Sequence, residues 1–140
     1  MWPFGRAREE ESPGGDSADL GRRGEKLAQA ALRKQGLRIL ARNYRCPAGE
    51  ADLIALDIAT RKETGAETIA FVEVKTRTSD RYAPPESAVN ADKRRRMKRV
   101  ARYYFASRKT EGFAVRFDIV SVVIRPGQEP EVRHTPGAFA

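Results

Sequence analysis

Two charged runs of this 140-residue chain carry residue types that could do chemistry together. The run GEADLIA contains Glu50 and Asp52, and the run FVEVKTR contains Glu73, Lys75 and Arg77 at every second position. Both runs are otherwise typical of strands, in which side chains alternate between two faces, so the charged residues of each run share a face. Polar residues on a strand face need only contact solvent, but two carboxylates beside a lysine could also form a chemical site.

Asp52 and Glu73 could share one metal ion if the two strands are neighbours in a hairpin. Two carboxylates and a backbone carbonyl are hard oxygen ligands, which suit Mg²⁺ or Mn²⁺ and leave positions for water and a phosphate oxygen. Lys75 would lie beside the ion, where it could hold an attacking water or balance charge on a phosphate. The alternative is an exposed Glu73–Lys75 charge pair of little energetic value. Buried-type neighbours such as Leu53 and Val72 favour the metal site.

A strongly basic segment follows the second run. Lys and Arg number 27 against 19 Asp and Glu, and seven of the ten residues in KRRRMKRVAR, from Lys93 to Arg102, are basic. Such close like charges repel one another unless a polyanion or acidic neighbours offset them, so we expect phosphate binding rather than only a solvated helix face. On charge alone, RNA or an acidic membrane would serve as well as DNA. The expected nucleic-acid contacts are Arg77, Lys93, Arg94, Arg95, Arg96, Lys98 and Arg99.

The rest of the pattern supplies the elements that must position these groups. Apolar residues at helical spacing predict a helix that begins near Ser17 and stops at Gly36. Strands are predicted for LRILARNYR, EADLIALDIA, TIAFVEVKTR and GFAVRFDIVSVVI, with the polar TRKETGAET as a hairpin loop. A second helix starts between Ser87 and Asn90 and runs to about Ser107. The order αβββαβ predicts an α/β fold in which helices flank a mixed sheet.

The second helix is expected to pack through one apolar stripe, so that most of its arginines face outward. Lys93 falls on the inward side of this helix, near its start. It either reaches toward the acidic residues or extends along the edge of the core. The stripe consists of Val89, Met97, Val100, Ala101 and Tyr104.

Composition indicates a small cytoplasmic protein with one domain and no membrane association. No apolar run is long enough to cross a bilayer, and the opening MWPFGRAREEE lacks the apolar segment of a secretory signal. We expect a disordered tail over 1–16, the domain over 17–125, and a C-terminal tail over 126–140 in which EVRH could add a short edge strand. Cys46 and His134 are the only cysteine and histidine, so any metal must be bound by oxygen.

The two charged runs belong to a longer pattern, which includes RRGEKLAQAALRKQGLRILARNYR, PPESAVNADKRRRMKRVARYY and VRFDIVSV. From Leu20 to Ile124 the chain resembles the PD-(D/E)xK nuclease superfamily, and within it the UPF0102 family, also called the YraN family. The resemblance implies a restriction-endonuclease-like fold, similar to that of archaeal Holliday-junction resolvases, and nuclease activity. By position it makes Asp52 and Glu73 metal ligands and Lys75 the catalytic lysine of the motif.

The resemblance also places Glu25, on the first helix, near the metal ion. Glu25 lies three and seven residues before Ala28 and Leu32, at the edge of the inward helix face. Taken alone, Glu25 would be a solvated helix residue. Ala51 departs from the pattern. The superfamily motif has proline before the aspartate, and members of this family usually have isoleucine or another aliphatic residue at that position. Since Ala51 should point away from Asp52, we expect different packing and intact metal binding.

The leading functional hypothesis is a metal-dependent endonuclease that cuts branched or otherwise non-duplex DNA. Nothing in the chain resembles a zinc finger or a helix-turn-helix, so sequence specificity should be low. The alternative is a non-catalytic nucleic-acid-binding or adaptor protein on a nuclease fold. Junction resolution requires two symmetric cuts, so a resolvase of this kind would be a homodimer.

Overall fold

The computed structural model describes residues 13–78 and 90–140, and in the first helix it describes the side chains from residue 18 onward. Residues 79–89, which include Val89 of the predicted helix stripe, lie outside the described ranges. The elements in chain order are α1 (Pro13–Lys34), β1 (Arg38–Cys46), β2 (Gly49–Asp57), α2 (Thr60–Thr64), β3 (Thr68–Arg77), α3 (Ala91–Ala106), β4 (Ala114–Val123) and β5 (Glu131–Phe139).

The strands form one mixed sheet in the order β1-β2-β3-β4-β5. The first three strands are an antiparallel meander, β4 runs parallel to β3 after the α3 crossover, and β5 is antiparallel to β4 at the edge. The predicted α/β fold, a restriction-endonuclease-like mixed sheet flanked by helices, is confirmed. Among the described strands, the only parallel pair is β3 and β4, which α3 connects; parallel neighbours need such a crossover.

Each face of the sheet is covered by a helix, and the alternating side chains of β2 and β3 contribute to both cores. Packing of this kind stabilises by about 1.5–3 kcal/mol for each fully buried large apolar side chain. A shift of one residue would exchange the two faces, so the register of β2 against β3 is fixed. The α1 side includes Ala28, Leu32, Leu53, Val72 and Val122. The α3 side includes Ile54, Phe71, Met97, Val100 and Tyr104.

The predicted end of α1 and the predicted start of α3 agree with the structure. Gly36 has φ 97°, the left-handed conformation that ends α1. At the start of α3, the side chain of Asn90 accepts a hydrogen bond from the backbone N–H of Lys93 at 3.0 Å. The described part of the predicted α3 stripe is buried, and most arginines of the helix are exposed.

Three boundaries differ from the expectation. α1 begins at Pro13 rather than near Ser17, and proline is tolerated in the first turn of a helix. The predicted hairpin loop TRKETGAET contains the short helix α2, which Gly65 ends in a left-handed conformation. The final strand covers Glu131–Phe139 rather than EVRH alone, because Pro136 and Gly137 are compatible with an edge strand.

Among the described elements, no helix is both long and apolar enough to cross a membrane.

Candidate active site

β2 and β3 separate at the point where the acidic residues lie. Their hydrogen-bonded pairing ends at Leu53 and Val72. Beyond this point, within residues 13–78 and 90–140, β2 pairs only with β1, and β3 only with β4. The backbone N–H of Val74 donates to Asp52 Oδ2 at 2.8 Å, so a side-chain carboxylate replaces the missing strand partner. The divergence of the two strands opens a cleft beside Asp52.

This cleft brings together the four residues that the sequence and the family resemblance predicted. Glu25 from α1, Asp52 from β2, and Glu73 and Lys75 from β3 line one cavity of about 420 Å³. The three carboxylates come from three different elements, so only the folded chain assembles them. We call this cavity the carboxylate cleft.

Gly24 allows α1 to reach the carboxylate cleft. Gly24 is buried, and a Cβ built on it would lie 1.9 Å from Oγ1 of Thr76 on β3. Any larger residue would force the helix and the strand apart. The side chain of Asn43 on β1 interacts with the next residue, Glu25, and acts to lower the pKa of its carboxyl. Asn43 has φ 50°, in the left-handed region that asparagine tolerates better than most residues.

The carboxyl groups of Asp52 and Glu25 lose their protons less readily than usual. Burial, reinforced by the negative charge of Glu73, raises the pKa of Asp52 to about 6, although the hydrogen bond from Val74 opposes the shift. Burial also raises the pKa of Glu25, and the charges of Glu50 and Glu73 add to it. Carboxylates that repel one another in a half-buried site favour the binding of a cation.

Two lysines supply positive charge to this cluster. Lys93 Nζ donates to Glu73 Oε2 at 2.7 Å, and Lys75 Nζ lies 3.5 Å from the same oxygen. Burial, together with the neighbouring Lys93, lowers the pKa of Lys75. Burial acts in the same sense on Lys93, but the hydrogen bond to Glu73 and the nearby carboxylate charges raise its pKa overall. Lys75 therefore releases a proton more readily, and Lys93 stays charged.

The donor set fits a hard divalent cation in kind, because the cleft collects carboxylate oxygens under mutual repulsion. Within residues 13–78 and 90–140, no three His, Cys, Asp or Glu side chains are already grouped as a metal centre. Glu73 instead contacts the two lysines. The residues that would hold a cation are Asp52 and Glu73, with Glu25 nearby, and Glu73 would exchange part of its lysine contacts for the ion.

The predicted nucleic-acid contacts lie in three places. Lys93 belongs to the carboxylate cluster rather than to the outer face of α3. Arg77, at the end of β3, is half-buried, and its Nε has no hydrogen-bond partner in the described part of the chain. The remaining predicted contacts lie along α3, where all except the half-buried Lys98 are exposed. They are Arg94, Arg95, Arg96, Lys98 and Arg99.

Sequence reasoning missed a second acidic cluster, at β4 and β5. Asp118 is 0% exposed and accepts two hydrogen bonds of 2.9 Å from the guanidinium of Arg116. His134 Nε2 lies 2.8 Å from Asp118 Oδ2, and the backbone N–H of Gly137 donates to Oδ1 at 3.0 Å. The only sequence signal was the spacing of Arg116 and Asp118 on one strand face. This cluster joins the edge strand to the sheet.

Asn43 was also missed. Asparagine is depleted in strands, so its place within LRILARNYR was the available signal.

Comparison with known proteins gives one consistent family. The family model described as "Uncharacterised protein family UPF0102" matches residues 24–122. A UPF0102 protein of Nocardia farcinica is 43% identical over 125 residues, which cover 89% of this chain and 92% of the relative. UPF0102 proteins of Geobacter metallireducens (41% over 120 residues; 86% and 91% covered) and Mycobacterium tuberculosis (46% over 121 residues; 84% and 90% covered) are similar in the same way. The chain therefore belongs to the UPF0102 family.

Proposed function

We propose that this protein is a metal-dependent nuclease that hydrolyses phosphodiester bonds in DNA. The observation that carries the proposal is the convergence of Asp52, Glu73 and Lys75 at the divergence of β2 and β3. The basic helix α3 begins at the same cleft, because Lys93 contacts Glu73. A strand whose phosphates lie along α3 would therefore pass the carboxylates.

The chain's own residues divide the chemical work. Asp52 and Glu73 would hold Mg²⁺ or Mn²⁺, which when bound stabilises negative charge on the phosphate and acidifies a water. The N–H of Val74 fixes the orientation of the Asp52 carboxylate. Lys75 would orient the attacking water or balance negative charge on the phosphate, and its lowered pKa makes proton transfer at its amine easier. Lys93 remains protonated and balances the charge of Glu73 or of the phosphate.

The preferred substrate is branched or otherwise non-duplex DNA, with little dependence on sequence. Phosphate contacts position a nucleic acid without reading its bases. The described cations of α3 would form a row of phosphate contacts, and the sequence contains no motif for reading base edges in a groove. The protein would therefore distinguish its substrates by the shape of the nucleic acid rather than by base sequence.

The test compares cleavage of labelled four-way, flap, single-stranded and duplex DNA with Mg²⁺ or Mn²⁺. Asp52→Ala and Lys75→Ala should each reduce cleavage by at least about 10²-fold while DNA binding is retained. Glu63→Ala and Lys62→Ala, which remove exposed charges on α2, are the matched controls and should leave cleavage unchanged. Cleavage that survives both cleft substitutions would overturn the proposal.

A second candidate is a non-catalytic nucleic-acid-binding or adaptor protein. The observation that favours it is the double contact of Glu73 Oε2 with Lys75 and Lys93, which neutralises one acidic group without a metal. This hypothesis predicts salt-sensitive DNA binding, no cleavage with either metal, and equal binding by wild type and Asp52→Ala.

A further inference from the structure

A second groove lies between α3 and β4 and has no part in the proposed hydrolysis. Its volume is about 320 Å³. Phe105, Val115 and Phe117 form an apolar floor, and Val115 is 48% exposed. Phe117 stacks on Phe139 of β5 with ring centroids 5.1 Å apart, which extends the aromatic surface. We call this cavity the α3–β4 groove.

Cations follow one edge of the α3–β4 groove. Lys98 and Arg102 line it, and the Arg94 guanidinium lies 5.7 Å from the centroid of the Phe139 ring. These three residues are four apart in sequence, so they share one face of the helix. The groove therefore combines an apolar, partly aromatic floor with a row of positive charge.

This combination matches the chemistry of a nucleotide in a single strand. Sites for single-stranded nucleic acid pair a positive groove, which tracks phosphates, with aromatic or apolar surfaces that contact the bases. A second copy of the chain would bring its own positive α3 against this row, in a protein of net charge +8. Charge complementarity thus favours a polyanion that also presents flat apolar rings.

We propose that the α3–β4 groove binds an unpaired nucleobase of the strand whose phosphates contact Arg94, Lys98 and Arg102. The inference rests on the proposed nucleic-acid function and adds a substrate class, a strand with at least one unpaired base, because a base stacked in a duplex cannot reach such a pocket. Lys98 and Arg102 lie about 8–14 Å along the helix from Lys93, at 1.5 Å per residue. The unpaired base is therefore bound within a few nucleotides of the carboxylate cleft.

The first experiment measures binding of single-stranded oligonucleotides in buffer without divalent metal. Val115→Asp places a carboxylate on the groove floor, and Val132→Asp places the same charge on β5, at a valine that is 36% exposed. Val115→Asp should weaken binding about tenfold, and Val132→Asp less than threefold. Equal losses in the two variants would overturn the proposal. Thermal unfolding of both variants verifies that they are folded.

The second experiment leaves the protein unchanged and alters the DNA. One base at a time is replaced by an abasic site or by the fluorescent base 2-aminopurine. In the wild type, one abasic position should weaken binding at least about fivefold, and 2-aminopurine at that position should change its fluorescence on binding. Neither effect should occur with Val115→Asp, because the two changes remove the same contact.

The outcomes separate this inference from the proposed nuclease. Cleavage that does not depend on any single base would overturn the groove proposal and leave the nuclease intact. Binding that depends on one base, without cleavage of the DNA, would support the groove proposal and overturn the nuclease proposal. Self-association of the chain that Val115→Asp abolishes would show that a second copy occupies the groove, and this too would overturn the proposal.

Discussion

The carboxylate cleft and the Asp118 cluster are two acidic sites in one sheet, with opposite electrostatic character. In the Asp118 cluster, burial alone would raise the pKa of the carboxyl, but hydrogen bonds from His134, Arg116 and Gly137 lower it. In the cleft, Asp52 has one backbone donor and acidic neighbours, and its pKa is raised to about 6. The more deeply buried carboxylate is therefore the one that ionises more easily.

This difference separates a carboxylate that holds the fold together from one that is kept for a ligand. A buried polar group with all its hydrogen bonds made stabilises the native structure. A partly buried carboxylate with acidic neighbours lowers the stability of the folded protein until it binds a cation or a proton. Such groups cluster at functional sites. The comparison predicts that substitutions in the two regions change stability with opposite signs.

The largest expected change is at the satisfied site. Asp118→Ala should lower the free energy of unfolding by about 3–5 kcal/mol, because it leaves Arg116 and His134 without their buried partner. Asp57 accepts a single hydrogen bond from Arg116, so Asp57→Ala should lower it by only about 1–2 kcal/mol. Urea unfolding at pH 7 measures both. Equal losses would mean that the four contacts of Asp118 do not act together.

The second prediction concerns the unsatisfied site and has the opposite sign. The amide oxygen of Asp52→Asn can still accept from Val74, but the repulsion and the buried charge are gone. Because the pKa in the folded state is raised from 3.8 to about 6, the wild type loses stability as pH rises through that window. Asp52→Asn should therefore be more stable than wild type by about 1–3 kcal/mol at pH 8, and the gain should vanish near pH 4.

Urea unfolding without metal at pH 4 and pH 8 tests this difference. Asp92→Asn, at an exposed aspartate on α3, is the control and should stay within about 0.5 kcal/mol of wild type at both pH values. A gain at pH 4 as large as that at pH 8 would show that charge is not its cause.

The sequence predicted the parts of this comparison that depend on local pattern. Period-two alternation located β2 and β3, and the hairpin between them brought Asp52 and Glu73 to one cleft. Helical spacing located both long helices, and the family resemblance supplied Glu25. The inferences from alternation and helical spacing depend on one element or on two strands joined by a hairpin, whereas the place of Glu25 came from the resemblance alone.

The remaining features depend on contacts between distant segments. Asp118 meets His134 because β5 returns along the sheet edge, and the sequence predicted only the EVRH part of that strand because Pro136 and Gly137 are uncommon in strands. The sequence left open whether Lys93 reaches the acidic residues or extends along the core, and the contact with Glu73 selects the first alternative. Alternation locates a residue on a face but gives no side-chain partner, so the opposite pKa shifts of the two acidic sites had no signal in the sequence.

The third prediction concerns the proton that a metal must displace from the cleft. Metal ligands must be deprotonated, so Mn²⁺ affinity should fall as pH drops below about 6, by at most about tenfold per pH unit for one proton at Asp52. Calorimetric titration between pH 5 and pH 8 measures this. Asp118→Asn should leave the pH dependence unchanged, and Asp52→Asn should remove binding. An affinity that is independent of pH would exclude Asp52 as the titrating ligand.

The smallest effect extends the comparison from carboxylates to the cations of α3. Arg95 is paired with Asp92, whereas Arg99 is exposed and forms no ion pair within the described residues. If unpaired groups are the ones available to ligands, Arg99→Ala should weaken DNA binding a few-fold and reduce the slope of log affinity against log salt by about one. Arg95→Ala should change that slope by less, because Asp92 already offsets its charge. Fluorescence anisotropy from 50 to 200 mM salt measures both slopes, and a larger change for Arg95→Ala would show that ion pairing on α3 does not determine which cations contact phosphate.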